Sequence, residues 1–134
     1  MGRIMRRIGT GSATQRIELG GTYDAEVEDI ELTVNSEYFS SINYTCQKYG
    51  RLVVLTITGV TWVKAITTGG VVVLSGLPAP SKNFNCALMA MKSEVSTSSP
   101  KRMRLLTNGN LASWYESIAT DENPYGIITY LSAN

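Results

Sequence analysis

The 134-residue chain predicts an all-β domain, built as two antiparallel sheets packed into a sandwich. Composition is the first observation behind that reading. Thr, Val, Ile, Tyr, Ser and Gly are abundant and strong helix formers sparse, the mix expected of strands joined by turns. The second observation is alternation, because apolar residues recur at every other position through several short stretches. The third is a break in the middle of the chain. Val71-Val72-Val73-Leu74 reads as a buried strand that ends at Gly76, and Leu77-Pro78-Ala79-Pro80 continues neither strand nor helix, since each proline lacks an amide donor and restricts the residue before it. The double-proline corner is therefore expected to carry the chain from one sheet to the other.

Residues 1–22 hold Arg3, Arg6, Arg7 and Arg16 among glycines, serines and threonines with no sustained period. They read as a flexible or oligomer-docking arm, with Gly20-Gly21 as the boundary of a domain spanning 23–134. No apolar core follows the early arginines, so no secretory leader is expected. Tyr23 to Glu37 is the opposite in charge, carrying Asp24, Glu26, Glu28, Asp29, Glu31 and Glu37 without a lysine or arginine. Within it Ile30, Leu32 and Val34 alternate as a strand does. The acids form a solvated face, or meet the basic arm of a neighbouring copy. They lack the glycine-centred loop of a calcium site, and no metal is expected.

From Tyr38 to Gln47 the alternation places Ile42, Tyr44 and Cys46 toward the core. Lys48-Tyr49-Gly50-Arg51 makes a turn, and Leu52 to Val60 returns. Leu52-Val53-Val54-Leu55 is apolar on both faces, which predicts a central strand or one covered by a second subunit. Trp62 stands at a strand end, where an indole packs on the core or stacks on a sugar, and Gly69-Gly70 breaks the chain before the central run. Beyond the prolines, Phe84, Cys86, Leu88 and Ala90 share one face of a strand. Ser93 to Pro100 reads as a loop, followed by Met103 and Leu105 facing inward while Arg102 and Arg104 face water. Asn108-Gly109 is a hairpin signal. Tyr115 to Ala119 is expected as a short helical turn, broken by the polar stretch Thr120 to Pro124, before a closing strand with Ile127, Thr129 and Leu131 on one side and Ile128 and Tyr130 on the other.

The chain has no histidine, two cysteines and a formal net charge of +1 with 17% charged residues. Catalytic triads and dyads that use histidine are excluded, as is histidine-ligated zinc. No phosphate-binding loop occurs, and the acids outside the 23–37 block carry no mark of a catalytic carboxylate pair. The protein reads as non-enzymatic and free of cofactors. Its charge implies no nucleic-acid partner, and no run of about 18 apolar residues is present to insert into a membrane. Cys46 and Cys86 are expected as buried thiols rather than a disulfide.

Recognition by surface shape is what remains. Trp114, Tyr115, Asp121, Asn123 and Tyr125 fall within a dozen residues, supplying rings for sugar faces and short polar groups for hydroxyls. The alternative is that Trp114 and Tyr115 simply pack.

A strand ending in Leu-Pro, a second proline, a polar stretch and a new strand, together with the Lys48-Tyr49-Gly50-Arg51 turn, the Thr107-Asn108-Gly109-Asn110 hairpin and the closing Ile127-Ile128-Thr129-Tyr130-Leu131, resembles the C-terminal receptor-binding or tail-fibre tip domain of phages and prophages of Gram-positive bacteria. The resemblance spans residues 38–134. It implies a jelly-roll sandwich assembled as a homotrimer at the tail tip of a virion, and attachment to a host through a cell-surface saccharide. Other tail or baseplate proteins would be its partners, and it would be made in the bacterial cytoplasm and released by lysis. A non-phage carbohydrate-binding or adhesion module, and a structural baseplate component without a ligand, are the alternative readings.

Overall fold

A computed structural model describes residues 26–92 and 97–134; the expected arm over 1–22 and its boundary lie outside them. Nine strands form among the described residues: β1 (Val27–Asp29), β2 (Thr33–Val34), β3 (Phe39–Tyr49), β4 (Leu52–Trp62), β5 (Val72–Ser75), β6 (Phe84–Lys92), β7 (Thr97–Leu105), β8 (Leu111–Ser113) and β9 (Glu122–Leu131). No helix forms among the described residues, and the fold is all-β as composition predicts. All strand pairs are antiparallel, in the order β1-β3-β4-β9-β6-β7-β8-β5-β2.

That order describes one continuous curled sheet, a half-barrel, rather than the two separate sheets expected. The reason lies in β9. Its first residues, Glu122 to Tyr125, pair with β6, whereas Gly126 to Leu131 pair with β4. A single strand thus belongs to two diverging halves, one of β1, β3 and β4, the other of β6, β7, β8, β5 and β2. The inner faces of both halves supply the core, including Phe39, Val53, Leu55, Leu74, Met103, Leu105 and Leu111, all buried to 1% exposure or less. A narrow cavity between them is lined only by apolar residues, among them Ile42, Ile57, Val73 and Leu88, and with no polar group to hold water it is a packing gap.

The double-proline corner does something other than predicted. It joins β5 to β6, which lie in the same half with β7 and β8 between them, so it does not move the chain between halves. Instead it runs as a strap across one end of the curl. The Leu77 N–H donates to the Gly109 carbonyl (3.1 Å) in the β7–β8 turn, the Tyr130 hydroxyl of β9 donates to the Pro78 carbonyl (2.6 Å), and Pro80 bridges Ser132. Prolines suit such a strap, having carbonyls to offer and no amide to satisfy. Burial, with a smaller contribution from Cys46, pushes the Tyr130 phenol well above its ordinary pKa, so the hydroxyl stays a donor.

Other elements differ from expectation for definable reasons. The alternating run Ile30 to Val34 is not one strand. The chain crosses here from the β3 edge to the β5 edge, pairing first as β1 and then as β2. Tyr44 replaces the missing ladder, its hydroxyl accepting from the Leu32 N–H (2.7 Å) and donating to the Leu32 carbonyl (3.1 Å). Of the stretch read as loop, 93–96 lie outside the described residues, and Thr97 to Pro100 begin β7. Proline is tolerated at position 100 because β8 pairs only with Met103 to Leu105, leaving β7 an edge strand at that point. Tyr115 to Ala119 is not helical, since Ile118 exchanges backbone hydrogen bonds with Ile66 (2.9 and 3.0 Å) and drops its side chain into the core.

Trp62 packs. Its ring lies 4.7 Å from that of Phe39 and its Nε1–H donates to the Glu122 carbonyl (2.7 Å). Both cysteines are free, Cys46 buried and Cys86 half-buried. Burial pushes each thiol up to about 11, so at pH 8 only about one thiol in a thousand is a thiolate. Iodoacetamide at that pH is expected to label neither within minutes in native buffer and both in denaturant.

Candidate functional site

The outward face of the β6–β7–β8 layer is where the aromatic pair stands. Register sets it up. Met103 opposes Ser113 and Leu105 opposes Leu111, so the inward residues of β7 are Met103 and Leu105, and the outward ones Arg102 and Arg104. On β6 Ala87 sits opposite Arg102 and Asn85 opposite Arg104, both exposed. The ladder extends one residue past β8, with the Trp114 N–H donating to the Arg102 carbonyl (3.0 Å). Trp114 thereby comes to lie beside both arginines, and the Arg104 guanidinium stands 4.8 Å over its ring. Such a contact contributes about 0.5–1 kcal/mol at a surface.

Tyr115 follows and turns the chain. It is the single non-glycine residue with positive φ (57°) among those described, a conformation that costs about 1–2 kcal/mol for an L-residue. Its side chain is 74% exposed, and its ring meets Trp114 edge-on at 5.2 Å and 77°. The surroundings hold it there. A Cβ at Gly69 would lie 2.6 Å from the Tyr115 nitrogen, so the β4–β5 loop presses directly on this backbone and position 69 has no room for a side chain. On the other side, Glu116 Oε2 accepts from the Arg102 backbone N–H (3.1 Å).

The remaining expected site residues are engaged elsewhere. Asp121 forms an exposed ion pair with Lys92 at 3.8 Å. The Asn123 side chain accepts from the Val60 N–H (3.0 Å), filling the space where β9 leaves β4. The Tyr125 hydroxyl shares a hydrogen bond with Ser98 (3.0 Å). Asn123 and Tyr125 sit opposite Met91 and Met89, on the far side of β6 from Trp114. One pair of the five, Trp114 with Tyr115, is in contact. Arg102, Arg104 and Gly69, which complete its surroundings, were legible only as two outward arginines and a chain break.

A second surface lies on the outward face of the other half. Val27, Tyr49, Leu52 and Leu131 form one cross-strand row, and Ile127 lies further along β9. Val27, Leu52, Ile127 and Leu131 are exposed by 51, 39, 64 and 59%. Among the described residues no group of three or more His, Cys, Asp or Glu side chains gathers to hold a metal.

No protein-family model matches the chain, and no curated protein is significantly similar to it.

Proposed function

We propose that this chain is the host-attachment domain of a phage or prophage tail, and that it binds a cell-surface saccharide on the Trp114–Tyr115 platform without catalysing a reaction. One observation carries the binding site. An aromatic side chain three-quarters exposed is held out by a backbone conformation that disfavours it, and such strain persists where the displayed group has a use. The exposed Tyr115 ring, braced edge-on by Trp114, offers the kind of flat apolar surface that the apolar face of a sugar fits. The tail assignment rests on the resemblance of residues 38–134, and the all-β fold is compatible with it.

Tyr115→Gly is the decisive variant. Glycine takes the left-handed backbone freely and little buried contact is lost, so melting temperature is expected to hold or rise slightly. Binding to purified Gram-positive cell walls is expected to fall at least about tenfold, as for Trp114→Ala. Undiminished binding by Tyr115→Gly would overturn the platform.

The homotrimer belongs to the same proposal and is supported by the exposed row Val27, Tyr49, Leu52 and Leu131, a contiguous apolar face of the kind that marks association. Light scattering is expected to give three times the chain mass, and Leu131→Glu to reduce it to one. A monomeric parent protein would remove this part.

A further inference from the structure

We infer that the platform takes a saccharide bearing an acidic substituent, a carboxylate or a phosphate, held by Arg102 and Arg104 beside the Trp114 ring. The inference deepens the proposed saccharide site and rests on that reading. Two guanidiniums stand on one face of β7 within two residues of each other, and Trp114 completes the cross-strand row of the first while stacking under the second. No carboxylate pairs with either at salt-bridge distance among the described residues. The Glu116 carboxylate accepts from the Arg102 backbone N–H (3.1 Å).

What these groups leave open defines the ligand. A guanidinium held over an indole through its cationic carbon, here 4.8 Å from the ring centroid, does not use up its N–H donors on the ring, and a guanidinium fork matches the two oxygens of a carboxylate or phosphate. Arg104 is half-buried, and its Nε is enclosed and lacks a hydrogen-bond partner among the described residues, so this guanidinium has donor capacity that the surrounding protein does not use. Arg102 is exposed one row away, and Asn85, opposite Arg104 on β6, is an exposed amide next to it. An anion between two arginines with a ring alongside is the arrangement for a sugar whose apolar face stacks while its acidic group is clamped. The charge is local, for the whole chain carries only +1. Among the described residues the outward row on β7 holds two arginines, Arg102 and Arg104, a clamp rather than the extended basic track that follows a nucleic-acid backbone.

The test is an array in which each oligosaccharide is printed in neutral, carboxylated and phosphorylated forms, probed with the full chain, with a single-stranded 20-mer DNA as a separate spot. Acidic forms are expected to bind about tenfold more tightly than their neutral parents, with the preference shrinking as salt rises from 50 to 300 mM. Arg102→Gln should abolish most of that preference, whereas Lys82→Gln, the same change of charge at an exposed site on the strap, should leave it intact. Equal binding of neutral and acidic forms would overturn the acidic-sugar inference and leave the platform standing. Absence of binding to every glycan would sink the platform and the inference together. Stronger capture of the DNA than of any acidic glycan would replace the saccharide by a nucleic acid.

Discussion

Gly109→Ala is expected to destabilise the protein by about 3 kcal/mol, a fall of about 10 °C in melting temperature for a domain of this size. Two effects coincide at this position. The residue has φ +85°, and an added Cβ would lie within contact-violating distance of the Leu77 carbonyl oxygen. The backbone there is not free to yield, because the Gly109 carbonyl accepts from Leu77 N–H (3.1 Å) and the Gly109 N–H donates to the Leu106 carbonyl (2.9 Å). Asparagine separates the causes. It tolerates left-handed backbone better than other side chains, so near-normal stability of Gly109→Asn would mean that turn conformation alone matters, and that the strap does not press on the turn as described. Loss comparable to the alanine variant is the expected result by thermal denaturation.

Glu122→Ala is expected to cost about 3 kcal/mol as well, from breaking an ion pair out of water. The Lys101 ammonium lies 3.5 Å from Glu122 Oε2, and the two side chains are only 16 and 10% exposed. Glu122 Oε1 also accepts from the Ala119 N–H (2.9 Å), so alanine strands an ammonium and an amide together. Lys101 retains one acceptor, the Ser117 carbonyl (3.0 Å). Adding Lys101→Met removes the stranded charge, and the double variant is expected to recover at least half of the lost stability in a denaturant titration. If the single change is silent, or the second deepens the loss additively, the pair is not the internal contact argued here.

Strand existence was legible where the side-chain period ran long, and the inward sets Ile42 with Cys46, and Met103 with Leu105, are buried as alternation predicts. What could not be read was pairing between strands distant in sequence. Nothing in Glu122 to Leu131 announces that one strand changes neighbours at Gly126, and without that fact the proline corner looks like the link between sheets. The acidic run was misread for a related reason. Its period is correct for a strand, but the Tyr44 hydroxyl allows the backbone to cross between edges without a ladder.

The site divides along the same line. Trp114 and Tyr115 are neighbours in sequence, and their contact needed no long-range information. Asn123 was chosen for its short polar side chain, which is what also suits it to capping the Val60 amide. The arginines were half accessible: once the hairpin is centred on Asn108, residues equidistant from it pair, and Arg102 falls opposite Trp114. The left-handed turn at Tyr115 had no sequence signal, because neither glycine nor asparagine stands there to mark it.

Sharing of the last strand by both halves has a mechanical implication. Among the described residues, strand-to-strand ladders between the two halves run through β9, so this strand is the keystone of the arch: withdrawing it would unpair β4 and β6 together and leave the halves tied by the crossing at Leu32 and Asn35. A load that peels β9 from either neighbour therefore bares apolar lining on both sides of the arch at once.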